Sequence, residues 1–342
     1  MKYSFKNDYS EGYHPAILEA LMKHNLDQQL GYGEDVYSKE AKKLVNKKLQ
    51  RDSQIYFVSG GTQANLIVIS ALLKPYQCVI SAATGHILNN ETGAIEATGH
   101  KIISVETEDG KLKAEHIIAV LENHQNKPHQ VMPKLVYISN STELGTIYSK
   151  SELTELSHFC RNNGLILYMD GARLGHGLSS HISELSLFDI GNLTDVFYLG
   201  GTKNGALLGE AIVINNEILF EDFAFSIKQK GGLLAKGRLL GIQFLELMKN
   251  DLYFELAKNA NVQALKLSDF LKTYNIQFLA ETVTNQVFPI LDNSLIDALA
   301  ENFEFYIWKK INDEQSAIRL ITSWNTSDQA VEDFIEAMKK YI

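Results

Sequence analysis

Between residues 54 and 214 the chain alternates short apolar, strand-like runs with stretches of helical periodicity, and that alternation limits its folds severely. Strand signals fall at 54–58, 77–81, 101–105, 134–139, 165–169, 196–199 and 209–214. Helix signals fall at 16–26, 39–49, 64–73, 88–98, 114–122 and 151–162. Strands separated by helices of this length point to a largely parallel, doubly wound sheet with helices on both faces. Beyond residue 233 the texture changes to a long amphipathic helix, followed by short strands and helices. The expectation is an α/β chain with a large domain over 15–235. A smaller C-terminal domain over 236–342 would be joined in space by an N-terminal arm, 1–14.

Two of the strand ends carry opposite charges. Leu165-Ile166-Leu167-Tyr168-Met169 delivers Asp170, and Val196-Phe197-Tyr198-Leu199 delivers Gly200-Gly201-Thr202-Lys203. In open α/β sheets, ligands bind just beyond the carboxyl ends of the strands. A carboxylate for a pyridinium nitrogen and a lysine for an aldehyde make up the protein's side of a pyridoxal phosphate site. A buried Lys–Asp ion pair of purely structural use accounts equally well for these two residues alone.

A third strand runs into Ser59-Gly60-Gly61-Thr62-Gln63 and then a helix. Glycines there let the backbone approach an anion, and the helix N-terminus offers free N–H groups. An ordinary capped strand–helix turn is the alternative. The turn lacks the lysine and spacing of a P-loop and the glycine spacing of a dinucleotide fold. His86 follows a fourth strand, with Glu91 five residues on. An imidazole at that edge can stack on a pyridine ring and handle protons.

Composition narrows the class. With 342 residues, 45% hydrophobic, the chain can bury a sizeable core. A formal net charge of -9 and scattered basic residues argue against nucleic acid as a partner. The N-terminus is too polar for a signal peptide and no apolar run reaches membrane-spanning length. Cys78 and Cys160, in apolar or amphipathic surroundings, read as free thiols of a reducing compartment. A cytoplasmic protein with no metal centre and no membrane contact is expected.

Taken in order, these motifs resemble the threonine aldolase / β-eliminating lyase family of fold-type-I pyridoxal phosphate enzymes. Gly33-Glu34-Asp35-Val36-Tyr37 resembles an early family motif, and Ser59-Gly60-Gly61-Thr62 its phosphate-binding turn. His86 with Glu91-Thr92-Gly93-Ala94 is similar to its stacking histidine segment, and Asp170-Gly171-Ala172-Arg173 to its most specific motif. The resemblance implies an aspartate-aminotransferase-like fold with a seven-stranded, mainly parallel sheet. It implies pyridoxal 5'-phosphate as cofactor, held by Gly60, Gly61, Thr62, His86, Asn140, Asp170, Arg173, Lys203 and a basic residue at Lys236 or Arg238. It places the substrate carboxylate on Arg173 and Arg319, with Asn7 where a substrate-contacting serine is common. It also implies a homo-oligomer, a dimer or tetramer, with Tyr32 and Tyr37 reaching a neighbouring site.

The implied reaction is retro-aldol cleavage of threonine or allo-threonine to glycine and an aldehyde. Lys203 would hold the cofactor, Asp170 would keep its ring nitrogen protonated, and His86 would take the β-hydroxyl proton. Departures from the family pattern bear on the β-substituent pocket. Thr142 stands where the family has a histidine near that hydroxyl, and His176 stands where asparagine is usual. β-Elimination, racemisation or transamination on the same cofactor therefore stay open. So does a non-catalytic α/β binding protein.

Overall fold

The computed structural model describes residues 2–219 and 221–341. Its main sheet has seven strands in the spatial order Gln54–Val58, Glu210–Ile214, Val196–Gly200, Ile166–Asp170, Met132–Ser139, Gln77–Ala82 and Ile102–Val105. All neighbours run parallel except Glu210–Ile214, which is antiparallel to the strands on both sides. The expected doubly wound architecture is therefore the observed one. Strands that would be amphipathic on a one-faced sheet are apolar throughout here, because both faces are covered. Within Met132–Ser139, Val136 and Ile138 enter one hydrophobic cluster while Leu135 and Tyr137 enter the other. Val213 and Ile212 divide the same way.

The carboxyl ends of five strands meet at one edge. They deliver Ser59, the turn before His86, Ser139, Asp170 and the Gly201–Lys203 loop. The antiparallel Glu210–Ile214 begins at that edge, so its first residue, Glu210, lies in register between Val58 and Gly200. Close approach of the strand ends demands glycine at 171, where a Cβ would come within 1.8 Å of the Tyr198 carbonyl oxygen.

Three helix expectations differ from the structure. The span 88–98 is no helix. A short one, His86–Asn89, gives way to a turn with Thr92 and Gly93 at φ 53° and 71° and then a 3-10 turn, Glu96–Thr98. That left-handed pair ends the helix as residues outside it, and the buried Glu91 side chain turns in towards His86. The long helix expected from residue 233 is two, Arg238–Met248 and Leu252–Thr273, broken where Asn250 and Asp251 take φ of 49° and 60°. The first helix stops at Lys23.

The C-terminal strands Ile290–Asp292, Gln315–Ile321 and Tyr306–Lys310 form an antiparallel sheet, with Gln286–Val287 also on Gln315–Ile321. The arm joins them: Tyr3–Ser4 pairs with Phe303–Glu304, and Phe5 packs on Phe303 and Phe334. Phe5 belongs to a separate core with Leu267, Leu320, Phe334 and other residues of 264–338. Arg238–Met248 lies instead against Val36–Leu49, its Phe244 and Leu247 in a cluster of the main sheet.

Candidate active site

One cavity of about 780 Å³ lies over the sheet edge. Ser59, Gly60, Gly61, Thr62, His86, Asp170, Arg173, Lys203 and Arg319 line it, so three of the strand-end motifs, the histidine and both arginines share one space.

Asp170 is 4% exposed and accepts four hydrogen bonds. Tyr137 donates its hydroxyl at 2.6 Å, Tyr198 donates another, and Ala172 N–H and Asn65 Nδ2 approach at 3.0 and 3.3 Å. Burial by itself would raise its pKa. The charge His86 carries when protonated, with the hydrogen bonds from the tyrosines and Ala172, outweighs burial and holds the carboxyl below its usual range, so it is ionised. The tyrosines come from the period of the strands. Tyr137, Tyr168 and Tyr198 each lie two residues before a strand end, on the face that carries Asp170. Tyr168 reaches one step further out, donating to Asn65 Oδ1 at 2.8 Å.

His86 is oriented through its Nδ1, 2.8 Å from the buried Glu91 carboxylate. Asn65 Nδ2 donates to the same Glu91 oxygen at 2.7 Å, linking the histidine to the Asp170 network. With Nδ1 so occupied, Nε2 is the nitrogen left for chemistry in the cavity.

Lys203 makes no ion pair with Asp170 or any other acid among the described residues. Burial, then the nearby Arg173 charge, push its pKa down, against the pull of Asp8, Asp170 and Glu210. A buried lysine shifted this way is an available nucleophile. Glu210 beside it accepts a hydrogen bond from Gly201 N–H at 2.9 Å. Burial pushes this carboxyl up to about 8 although Lys203 pulls it down.

The Ser59–Thr62 turn opens the helix Gly61–Leu72, whose N-cap Gly60 supplies no side-chain hydrogen bond. The ordinary capped turn is therefore not what forms. An uncapped twelve-residue helix, with open space beside Gly60, leaves N–H groups for an anion. An aldehyde-reactive lysine, an ionised carboxylate and an anion cradle around one cavity fit pyridoxal phosphate.

The two arginines are held differently. Arg173 donates from Nε and Nη2 to Asp8 at 2.7 and 3.0 Å. Asp8 is fully buried, also accepts from Asn285 at 2.9 Å, and is held well below the usual carboxylate range: burial opposes ionisation, but Arg173 and Lys203 overcome it. Arg319 has no carboxylate partner among the described residues. Its Cζ lies 4.5 Å from the Trp308 ring centroid and 5.4 Å from that of Tyr306.

Asn7, Asn140 and Lys236 do not line the cavity. Asn7 Oδ1 accepts from Tyr9 N–H and the Ser10 hydroxyl, holding the arm's turn. Asn140 is buried beneath the floor, accepting from Tyr148 N–H at 3.3 Å. Lys236 is exposed, and Arg238 donates to the carbonyls of Asn25 and Asp27. Thr142 is buried with its hydroxyl 2.7 Å from that of Thr146. His176 is fully buried, both ring nitrogens lack partners, and burial lowers its pKa to about 4, so it is neutral. Sequence reasoning passed over Asp8, Tyr9, Glu143, Glu210, Tyr306 and Trp308, all at or beside the cavity.

A sequence model of the β-eliminating lyase family matches residues 8–294. A low specificity L-threonine aldolase of Pseudomonas aeruginosa is 32% identical over 336 residues, 96% of this chain and 95% of that one. A threonine aldolase structure from Leishmania major superposes with a TM-score of 0.97 at 45% identity, covering 99% of both chains. Aspartate aminotransferase from Thermus thermophilus, 15% identical, shares the fold at a TM-score of 0.73 over all of this chain and 92% of its own. The cavity's residues, the fold and these relatives converge on one conclusion: this chain belongs to the β-eliminating lyase family, as a fold-type-I pyridoxal phosphate enzyme.

Proposed function

We propose that the protein cleaves a β-hydroxy-α-amino acid, threonine or allo-threonine, to glycine and an aldehyde. The observation that carries this reading is the single cavity in which Lys203, ionised Asp170, His86 and Arg319 meet. The likeness to threonine aldolases over nearly the whole chain supports it.

Gly60, Gly61 and Thr62 would hold the cofactor phosphate, Asp170 its ring nitrogen and Lys203 its aldehyde. When bound, the cofactor supplies an electron sink for the charge left on Cα as the Cα–Cβ bond breaks. Asp170 keeps the ring nitrogen protonated because its own network keeps it an anion. Lys203 would approach the aldehyde with a pKa lowered by burial and by Arg173, which eases loss of the proton the reacting amine must shed. Arg319 takes the substrate carboxylate, and Arg173 a share of it through the N–H groups that Asp8 leaves free. His86 takes the β-hydroxyl proton at Nε2, and Glu91 stabilises the imidazolium so formed. Thr142 has its hydroxyl engaged with Thr146, which leaves that role to His86.

The test is an incubation with threonine, allo-threonine, serine and a β-substituted alanine, reading aldehyde, glycine, keto acid and ammonia. Acetaldehyde and glycine in equal amounts are expected. A keto acid with ammonia as the main products from every substrate would replace aldol cleavage with elimination.

We propose further that the chain divides into domains at 15–235 and 236–342 with the arm 1–14. The separate core of Phe5 and residues 264–338 supports two units, while Arg238–Met248 packs with the main sheet and favours a later crossing point. The protein would act as a cytoplasmic homo-oligomer, dimer or tetramer. Exposed apolar residues at Met22, Leu26 and Leu30 and the exposed Lys236 support a neighbour there. The buried, unpaired Cys78 and Cys160 suit a reducing compartment.

A further inference from the structure

An arginine drawn largely inside a protein is ordinarily paired with a carboxylate, and Arg173 obeys that rule. Arg319, on the strand Gln315–Ile321, does not. It lines the same cavity, its Nε is buried without a hydrogen-bond partner, and none of its nitrogens meets an acid among the described residues. What surrounds the guanidinium is aromatic. Tyr306 is directly opposite Arg319 in the strand register, and Trp308, two residues on, lies on the same face. The register slips between Ile307 and Lys309, a bulge of the kind that re-aims side chains. Both rings lie within cation–π reach of Arg319, and Phe288 packs edge-on against Trp308 at 5.5 Å to hold that ring.

The difference has a chemical consequence. Asp8 spends most of Arg173's charge inside the protein, two hydrogen bonds against one carboxylate. An aromatic platform stabilises a cation through its ring quadrupole without neutralising it. Arg319 is thereby left an uncancelled, partly desolvated positive charge at the arm side of the cavity, ready for one anion.

We propose that Trp308, with Tyr306 as its second face, is the positioning residue that keeps Arg319 a free cation for the substrate carboxylate. This rests on the proposed function of the same cavity. Carboxylate recognition then has a division of labour: Arg319 supplies the net attraction, and Arg173, held by Asp8, supplies a rigid hydrogen-bonding edge.

The experiment titrates the cofactor-loaded protein with glycine and with 2-aminoethanol, which has the amine but no carboxylate, following the visible absorption change. Trp308→Leu is expected to weaken glycine on the order of tenfold and to leave 2-aminoethanol within about twofold. Trp308→Phe, which keeps a ring face, should lose less than about threefold for glycine. In Arg319→Leu the glycine preference disappears, and adding Trp308→Leu should change nothing more. Should Trp308→Leu fail to fold, Tyr306→Leu on the more exposed ring carries the same comparison, with about a threefold loss expected. Equal glycine affinity in wild type and Trp308→Leu overturns the proposal alone, as does an equal loss for both ligands. A wild-type spectrum that ignores every amine sinks the function on which it rests.

Discussion

The cavity has a floor and a rim, and they are built on different principles. The floor is the carboxyl edge of one sheet. Asp170, the Ser59–Thr62 turn and Lys203 arrive there because parallel strands end in step, Glu210 because its antiparallel strand begins there, and the tyrosines beneath come from a period of two. The rim joins segments far apart in sequence. Asp8 meets Arg173 across 165 residues, and Asn285 meets Asp8 across 277. Floor residues are fixed by backbone pairing and can lose one side chain without losing their places. Rim residues hold each other, so a single substitution should cost stability as well as function.

The floor also shifts two buried carboxyls in opposite directions. Asp170 receives four donors and stays ionised, whereas Glu210 receives fewer and is pushed up to about 8. Environment, rather than residue type, decides the charge.

The sharpest break of the floor is Lys203→Ala. It should abolish the cofactor's visible absorption band and lower turnover on the order of a thousandfold or more, with a melting temperature close to wild type. A retained band would move the covalent role elsewhere. Asp170→Ala should come next, lowering turnover on the order of a hundredfold. It also strips the hydroxyls of Tyr137 and Tyr198 of their acceptor, at about 1–3 kcal/mol for each buried group left unpaired. Unchanged steady-state kinetics would overturn the electron-sink role.

On the rim, Asp8→Ala leaves a buried guanidinium without its carboxylate, and about 3–5 kcal/mol of stability should go, read by chemical denaturation. The pH signature follows from the depressed Asp8 pKa. Its contribution is present above the unfolded value, 3.8, and is lost as pH falls below that towards the folded value. Wild type should therefore lose stability on acidification more steeply than Asp8→Asn. Parallel acid profiles would show that the pair holds no such charge. The smallest effect belongs to Glu210→Gln. A carboxyl raised to about 8 binds its proton more tightly when folded, so stability falls between pH 4.5 and 8 as that proton is lost from the unfolded chain first. Glu210→Gln should match wild type near pH 5 and melt higher at pH 8.5. A lower melting temperature at both would mark Glu210 as an ordinary structural hydrogen-bond acceptor.

Much of this was legible in advance, and unevenly. The strand runs ending in Asp170 and before Lys203 declared both the sheet and the edge at which the cavity lies, because apolar period and strand termini are local properties. The tyrosines were legible too, had the two-residue offset before each strand end been read. No helix spans 88–98, since Thr92 and Gly93 take left-handed φ and the buried Glu91 turns in to His86, and apolar periodicity registers neither. Thr142 drew attention as a replaced residue, yet its hydroxyl is tied to Thr146.

The sequence by itself determined the α/β architecture, the edge at which chemistry collects, and the cofactor those residue types suit. Each follows from interactions within a few residues or between strands that repeat one pattern. Only the tertiary structure decided how the arginines are held, that Asp8 neutralises one of them, and that burial raises the Glu210 carboxyl beside Lys203. Those outcomes depend on burial and, for Asp8 and Arg173, on a pairing across 165 residues, and charge states set by desolvation have no local signature.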